Sequence, residues 1–125
     1  MKVMQGSGVD TLASGLRTTN FSEFRLFVRR QVVEQQGRVR VPLELQAAAR
    51  QEIGPGGYWS PDAVANRIIG FATAWAGDDL EKLEKALAAV RKGFAEAEQT
   101  LGGLMEVSQQ TRHLVEQKFS QLLQK

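Results

Sequence analysis

Cysteine is absent from this 125-residue chain, which excludes disulfides, thiolate metal sites and thiol catalysis. Histidine occurs once, at His113, so a structural zinc site has no ligand set. A haem site would need that single imidazole in a deep apolar pocket. His113 instead falls between Arg112 and Leu114 on a polar-rich stretch and is expected to face solvent. Long hydrophobic runs are also missing. The longest, within Ala63–Ala76, is too short and too interrupted for a bilayer, which needs about 20 residues. After Lys2 no apolar run of signal-peptide length follows. A cytoplasmic protein without membrane contact, metal or cofactor is therefore the expectation.

Net charge is low, +2, but its distribution is uneven. Residues 1–50 carry eight basic and four acidic side chains, residues 51–125 eight and ten. An acidic partner, nucleic acid included, would prefer the first half. With 42% hydrophobic and 24% charged residues, the composition is that of a globular domain rather than a disordered chain. One domain is implied by the length.

Helix signals dominate the chain. Residues 1–19 lack sustained periodicity and are expected to form a flexible tail, leaving residues 20–125 as a single helical domain. Asn20 with Glu23 makes a capping box, and Phe24, Phe27, Val28 and Val32 follow at helical spacing over residues 21–36. Gly37 ends this helix. Val39–Val41 alternates with arginines like a strand, but a lone strand cannot pair its backbone, so an extended connector is expected. Pro42 suits the first turn of a second helix running to about Ile53, and Gly54-Pro55-Gly56-Gly57 closes it.

Ser60-Pro61-Asp62 is the strongest boundary in the chain: a capping serine, proline at the first helical position and an acid in the first turn. Trp59 and Val64 stand at hydrophobic-staple positions. The helix over residues 61–76 is apolar on most of its circumference and is expected at the centre of the fold. Asp78 caps the next helix with Glu81 as capping-box partner. Leu80, Leu83, Leu87, Val90, Phe94, Ala97 and Leu101 then form a seam three and four apart, which serves intramolecular packing more often than a partner helix. Gly102-Gly103 stops it. A last helix starts near Leu104 or Val107 and runs towards Lys125.

Few side chains point to chemistry. Asp78 and Asp79 could be a carboxylate pair, but helix starts explain both. Gly54–Gly57 lacks the lysine and the buried strand of a phosphate loop. Ser60 has no base partner in view beside its capping role. Recognition has better candidates. Tyr58-Trp59 near a basic half can anchor a protein or stack on bases; against that, Trp59 can be a staple and Tyr58 a loop cover. Arg29-Arg30 can contact phosphate or simply face water. Arg67, on a mostly apolar helix, is expected to be partly buried and paired with Glu96 or Glu98, because Gly93 and Gly70 suggest that their helices cross closely. Its alternative is a stem lying along the bundle with its head in water.

Two stretches carry a resemblance. Tyr58-Trp59-Ser60-Pro61-Asp62-Ala63-Val64-Ala65-Asn66-Arg67-Ile68-Ile69, together with Lys92-Gly93-Phe94-Ala95-Glu96-Ala97 leading into Leu101-Gly102-Gly103-Leu104, resembles an uncharacterised bacterial domain family of unknown function, found mainly in Gram-negative species. The likeness implies a helical domain and a bacterial source. It implies no activity and no ligand residues.

The expectation is thus an all-α, compact bundle of four to five helices with a flexible N-terminal tail. Its function is expected to be non-enzymatic: a protein-interaction or adaptor domain whose partner is another protein, with Tyr58, Trp59, Arg29, Arg30 and Arg67 as candidate binding residues. A homo-oligomer is compatible with the seam. The alternative is a weak nucleic-acid-binding module using Arg25, Arg29, Arg30, Arg38 and Arg40.

Overall fold

A computed structural model of the chain describes residues 21–39 and 43–124. The expected tail at residues 1–19, the Asn20 cap and the Pro42 helix start lie outside the described residues. Among those described, five α-helices and no strand are found: α1 (Phe21–Gly37), α2 (Gln46–Ile53), α3 (Pro61–Ala76), α4 (Leu80–Leu101) and α5 (Glu106–Leu123). A 3-10 turn, Leu43–Leu45, leads into α2. The all-helical bundle is what the cap and spacing signals dictate.

Local chemistry sets most of the boundaries. Ser60 Oγ accepts from the Ala63 N–H at 3.2 Å, with Pro61 next to it at the first helical position. The start of α4 differs by one residue from expectation. Asp79, not Asp78, is the cap, accepting from Lys82 N–H at 3.2 Å. Gly77 ends α3 and Asp79 N–H bonds Ala76 O, which leaves Asp78 in the turn. Gly102 ends α4 in the left-handed region at φ 77°, and Gly103 N–H returns to Glu98 O at 2.9 Å. Past α1, Arg38 and Val39 donate back to Gln35 O and Gln36 O at 3.1 Å each. Val39 is therefore in a turn rather than extended.

Contacts along the helices fix their directions. Gln36 reaches Gly103 while Val28 lies on Gly93, so α1 and α4 run parallel. Phe24 and Phe27 stack on Phe71 with ring centroids 5.1 and 4.7 Å away, and Gln31 bonds Arg67, so α3 runs against α1. Arg91 with Glu116, and Arg112 with Glu98, set α5 against α4. The result is two up and two down. The most extensive contacts are α1 on α4 and α3 on α5, each a parallel pair. The core lies between them: Phe24, Val28 and Val32 from α1, Val64, Ile68 and Ala72 from α3, Leu83, Val90 and Phe94 from α4, Val115 and Phe119 from α5.

Two packing expectations are corrected. Helix α3 is one wall of the bundle, not its centre. Asp62, Asn66, Gly70 and Ala74 lie on its exposed side, four residues apart and hence on one stripe. Small apolar side chains cost little when exposed, so an alanine–glycine face need not be a buried one. Gly70 consequently has open space where a Cβ would be, and the close crossing at Gly93 is made with α1 instead. The α4 seam packs internally from Leu83 onwards, while its first residue, Leu80, is exposed. Ala86, Ala89 and Gly93 widen the buried face beyond that seam, as a helix touching several neighbours requires.

The Arg91–Glu116 pair carries a pH consequence. Both guanidinium donors reach the carboxylate, at 2.8 and 2.9 Å, and that hydrogen bonding lowers the Glu116 pKa below the usual 4.5. A carboxyl that binds its proton less readily when folded stabilises the fold above its unfolded pKa. That contribution is lost as pH falls through the lowered value. Because the pair is solvent-exposed, the effect is expected to be well below about 1 kcal/mol. Glu116→Gln should flatten the dependence of melting temperature on pH between about 5 and 3, measured against the parent.

Candidate functional site

The connection from α2 to α3 folds tightly on itself. Gly54 N–H bonds Arg50 O, Gly57 N–H bonds Gly54 O, and Trp59 N–H returns to Glu52 O at 2.8 Å. A Cβ at position 57 would strike the carbonyl oxygens of Gln51 and Glu52, so the turn closes this far only with glycine there. Consecutive residues then part. Trp59 goes into the core at 8% exposure, while Tyr58 stands out at 63%, edge-on to Trp59 with ring centroids 5.1 Å apart.

Arg67 holds that pair in place. Nearly two turns into α3, its guanidinium lies 4.0 Å from the Tyr58 ring centroid and 4.9 Å from that of Trp59. Arg67 Nε donates to Gln31 Oε1 at 2.9 Å and Nη1 to the Tyr58 carbonyl at 2.8 Å. Its Nη2 is buried without a hydrogen-bond partner. Burial pushes the Arg67 pKa down, partly countered by Coulombic attraction to Tyr58; an arginine keeps its charge regardless. Arg38 also sits near Trp59, 5.1 Å from the indole, and pairs with Glu52 at 2.9 Å.

Among the described residues no carboxylate therefore pairs with Arg67. Glu96 is taken by Arg25, at 2.5 and 2.6 Å, and more loosely by Arg29 at 3.8 Å; Glu98 is engaged by Arg112 at 3.7 Å. The expected pairing fails because α4 turns those acids towards α1 and α5, whereas Arg67 faces the seam of α1 and α3. No stranded carboxylate would remain after Arg67→Ala. Loss of two ring contacts and two hydrogen bonds, part-exposed, is expected to cost about 1–2 kcal/mol. Thermal unfolding of the variant checks this against the 3–5 kcal/mol of a broken buried ion pair.

Beneath the loop lies a polar cluster that residue patterns alone did not single out. Gln35 and Gln36 are both fully buried. Gln35 Nε2 donates to Trp59 O at 2.9 Å and to Thr111 Oγ1 at 2.8 Å, while its Oε1 accepts from Ser108 Oγ at 3.2 Å. Gln36 Oε1 accepts from Met105 N–H at 2.9 Å, and its Nε2 donates to Gly103 O at 3.3 Å. The last turn of α1 thus ties down the α2–α3 loop, the α4–α5 loop and α5 at once. The spacing of Gln35 and Gln36 continues the stripe of Phe24, Val28 and Val32, but their composition is that of a solvated helix end and hides it.

Bordered by the same loop, a groove of about 660 Å³ runs between the starts of α3 and α5. Ile53, Pro55, Pro61 and Leu114 give it an apolar wall; Asp62, Glu106 and His113 give it polar edges. No hydrogen bond joins His113 to either carboxylate. Among the described residues no cluster of three or more His, Asp or Glu is placed to hold a metal ion. No helix of the described residues is long and apolar enough to cross a membrane.

The five candidate residues divide. Tyr58, Trp59 and Arg67 come together. Arg29 lies towards Glu96 on the α1–α4 side, and Arg30 is exposed on α1, with no ion pair among the described residues. No family model, curated protein or solved structure matches the chain.

Proposed function

We propose that this chain is a non-enzymatic protein-interaction or adaptor domain that docks another protein through the α2–α3 loop. One observation carries this: Tyr58 is 63% exposed, yet its ring packs over Arg67 and edge-on against Trp59. An exposed aromatic normally loses rotamer freedom when a partner covers it; here that ordering has already occurred. Tyrosine supported by arginine and tryptophan is also the composition of binding hot spots. The bacterial source implied by the family resemblance, and a cytoplasmic location, belong to the same proposal.

Nucleic-acid binding draws less support. Arg25 and Arg29 share Glu96, Arg38 pairs with Glu52 and Glu34, and Arg40 lies outside the described residues. Neutralised arginines release few counterions from a phosphate backbone. Tyr58→Ala separates the two. It should leave the melting temperature within about 2 °C, since an exposed ring is removed, yet weaken partner binding about tenfold or more. Unchanged partner affinity, with salt-dependent retention on DNA, would favour the nucleic-acid alternative.

A further inference from the structure

We infer that the groove between α3 and α5 seats a basic, partly apolar segment of the partner protein. Such a segment would place a lysine or arginine between Asp62 and Glu106 and an aliphatic side chain on Ile53 and Leu114. It rests on the protein-interaction reading above and adds the chemistry of the partner.

Charge complementarity carries the inference. Asp62 and Glu106 are exposed and face one groove whose lining, among the described residues, includes no lysine or arginine, in a chain with a net charge of +2. Each acid stands in the first turn of its helix. There the helix dipole contributes roughly half a positive charge apiece, which stabilises the carboxylates as anions. About one negative charge remains at the groove. Among the described residues neither acid is consumed by an ion pair: Glu106 accepts a 3.4 Å contact from Gln110, one turn along, and no salt bridge reaches Asp62. Of the other polar groups in the lining, Ser60 Oγ caps α3 and Gln109 Nε2 holds Leu104 O at 2.7 Å, while the exposed His113 stands at the groove's edge. What is left is a carboxylate pair beside an apolar wall, in a volume within the range of ordinary ligand sites. An anionic or purely apolar segment would leave these carboxylates desolvated and unpaired, which is costly. A cationic side chain with an apolar neighbour meets both walls.

Amide-resolved NMR titration of the full chain with two synthetic peptides tests this, one alternating leucine and lysine and one alternating leucine and glutamate. The leucine–lysine peptide should shift amides at Asp62, Glu106, Gln110, His113 and Leu114, and the glutamate peptide should not. Asp62→Asn with Glu106→Gln should weaken the lysine peptide about tenfold, and added salt should weaken it further; circular dichroism of the variant controls for folding. Equal binding of both peptides, shifts centred elsewhere, or an unaltered affinity in the double variant would overturn the assignment. So would a release of the amides of residues 2–17 on titration, which would give the groove to the chain's own N-terminal segment. Tyr58→Ala is independent of these arms: loss of partner binding there with failure here removes the groove proposal and leaves the docking loop.

Discussion

Gly93→Ala is expected to lower stability by about 1–3 kcal/mol, a fall of roughly 4–12 °C in melting temperature for a domain of this size. The sign is informative because propensity alone predicts the opposite. Alanine in a helix interior is worth up to about 1 kcal/mol more than glycine. Gly93 lies in the middle of α4 and is buried. A Cβ built there would be 2.8 Å from Arg25 O and from Val28 Cβ, and 2.9 Å from Val28 Cγ1. None of these can yield by a side-chain rotation: the first is backbone, and valine in a helix is held to one χ1 well. The parallel pair α1–α4 would have to separate, loosening Phe24, Val28 and Val32 against Ala86, Val90 and Phe94. A melting temperature that rises on Gly93→Ala would mean that the two helices do not cross at this point.

Gln35→Ala is expected to cost about 3 kcal/mol or more, the largest effect of any single change considered. It removes the donor to Trp59 O and the amide between Thr111 and Ser108. Each buried group left without a partner costs about 1–3 kcal/mol, and the truncated side chain leaves a void in addition. Thr111 recovers part of the loss, because its hydroxyl also reaches Val107 O at 3.0 Å. Replacing both ends of the interaction, Gln35→Leu with Thr111→Val, should recover stability relative to Gln35→Ala, since fewer polar groups are stranded. Urea unfolding at constant slope gives the comparison. A loss below about 1 kcal/mol for Gln35→Ala would show that water reaches these groups and that the network is not sealed.

The two predictions fall on opposite sides of what the sequence could disclose. Helix number, the Ser60-Pro61 start, the Gly102-Gly103 stop and the internal face of α4 follow from local chemistry, which acts over a few residues and leaves a spacing pattern. Direction of packing does not. Gly93 marked a close approach, but nothing local told whether α1 or α3 supplied the opposing surface; Gly70 was the plausible partner and faces water instead. The same ambiguity misdirected Arg67. A partly buried arginine needs partners, but carbonyl, amide and ring faces serve as well as a carboxylate, and only tertiary geometry chooses among them. Tyr58 and Trp59 stand out in the sequence as a candidate because they precede one cap; that Arg67 lies against them is a product of tertiary geometry. Gln35 and Gln36 do not stand out, because a glutamine pair before a terminal glycine has the composition of a solvated helix end. Their burial shows only once three other chain segments close over them.

The docking claim is tested most directly by a photo-crosslinking amino acid placed at position 58 in the native cell, with Glu84 on the exposed side of α4 as the control position. One discrete protein adduct at position 58, absent at position 84 and lost when Arg67→Ala releases the loop, is the predicted result. Equal labelling at both positions, or adducts only with nucleic acid, would contradict it.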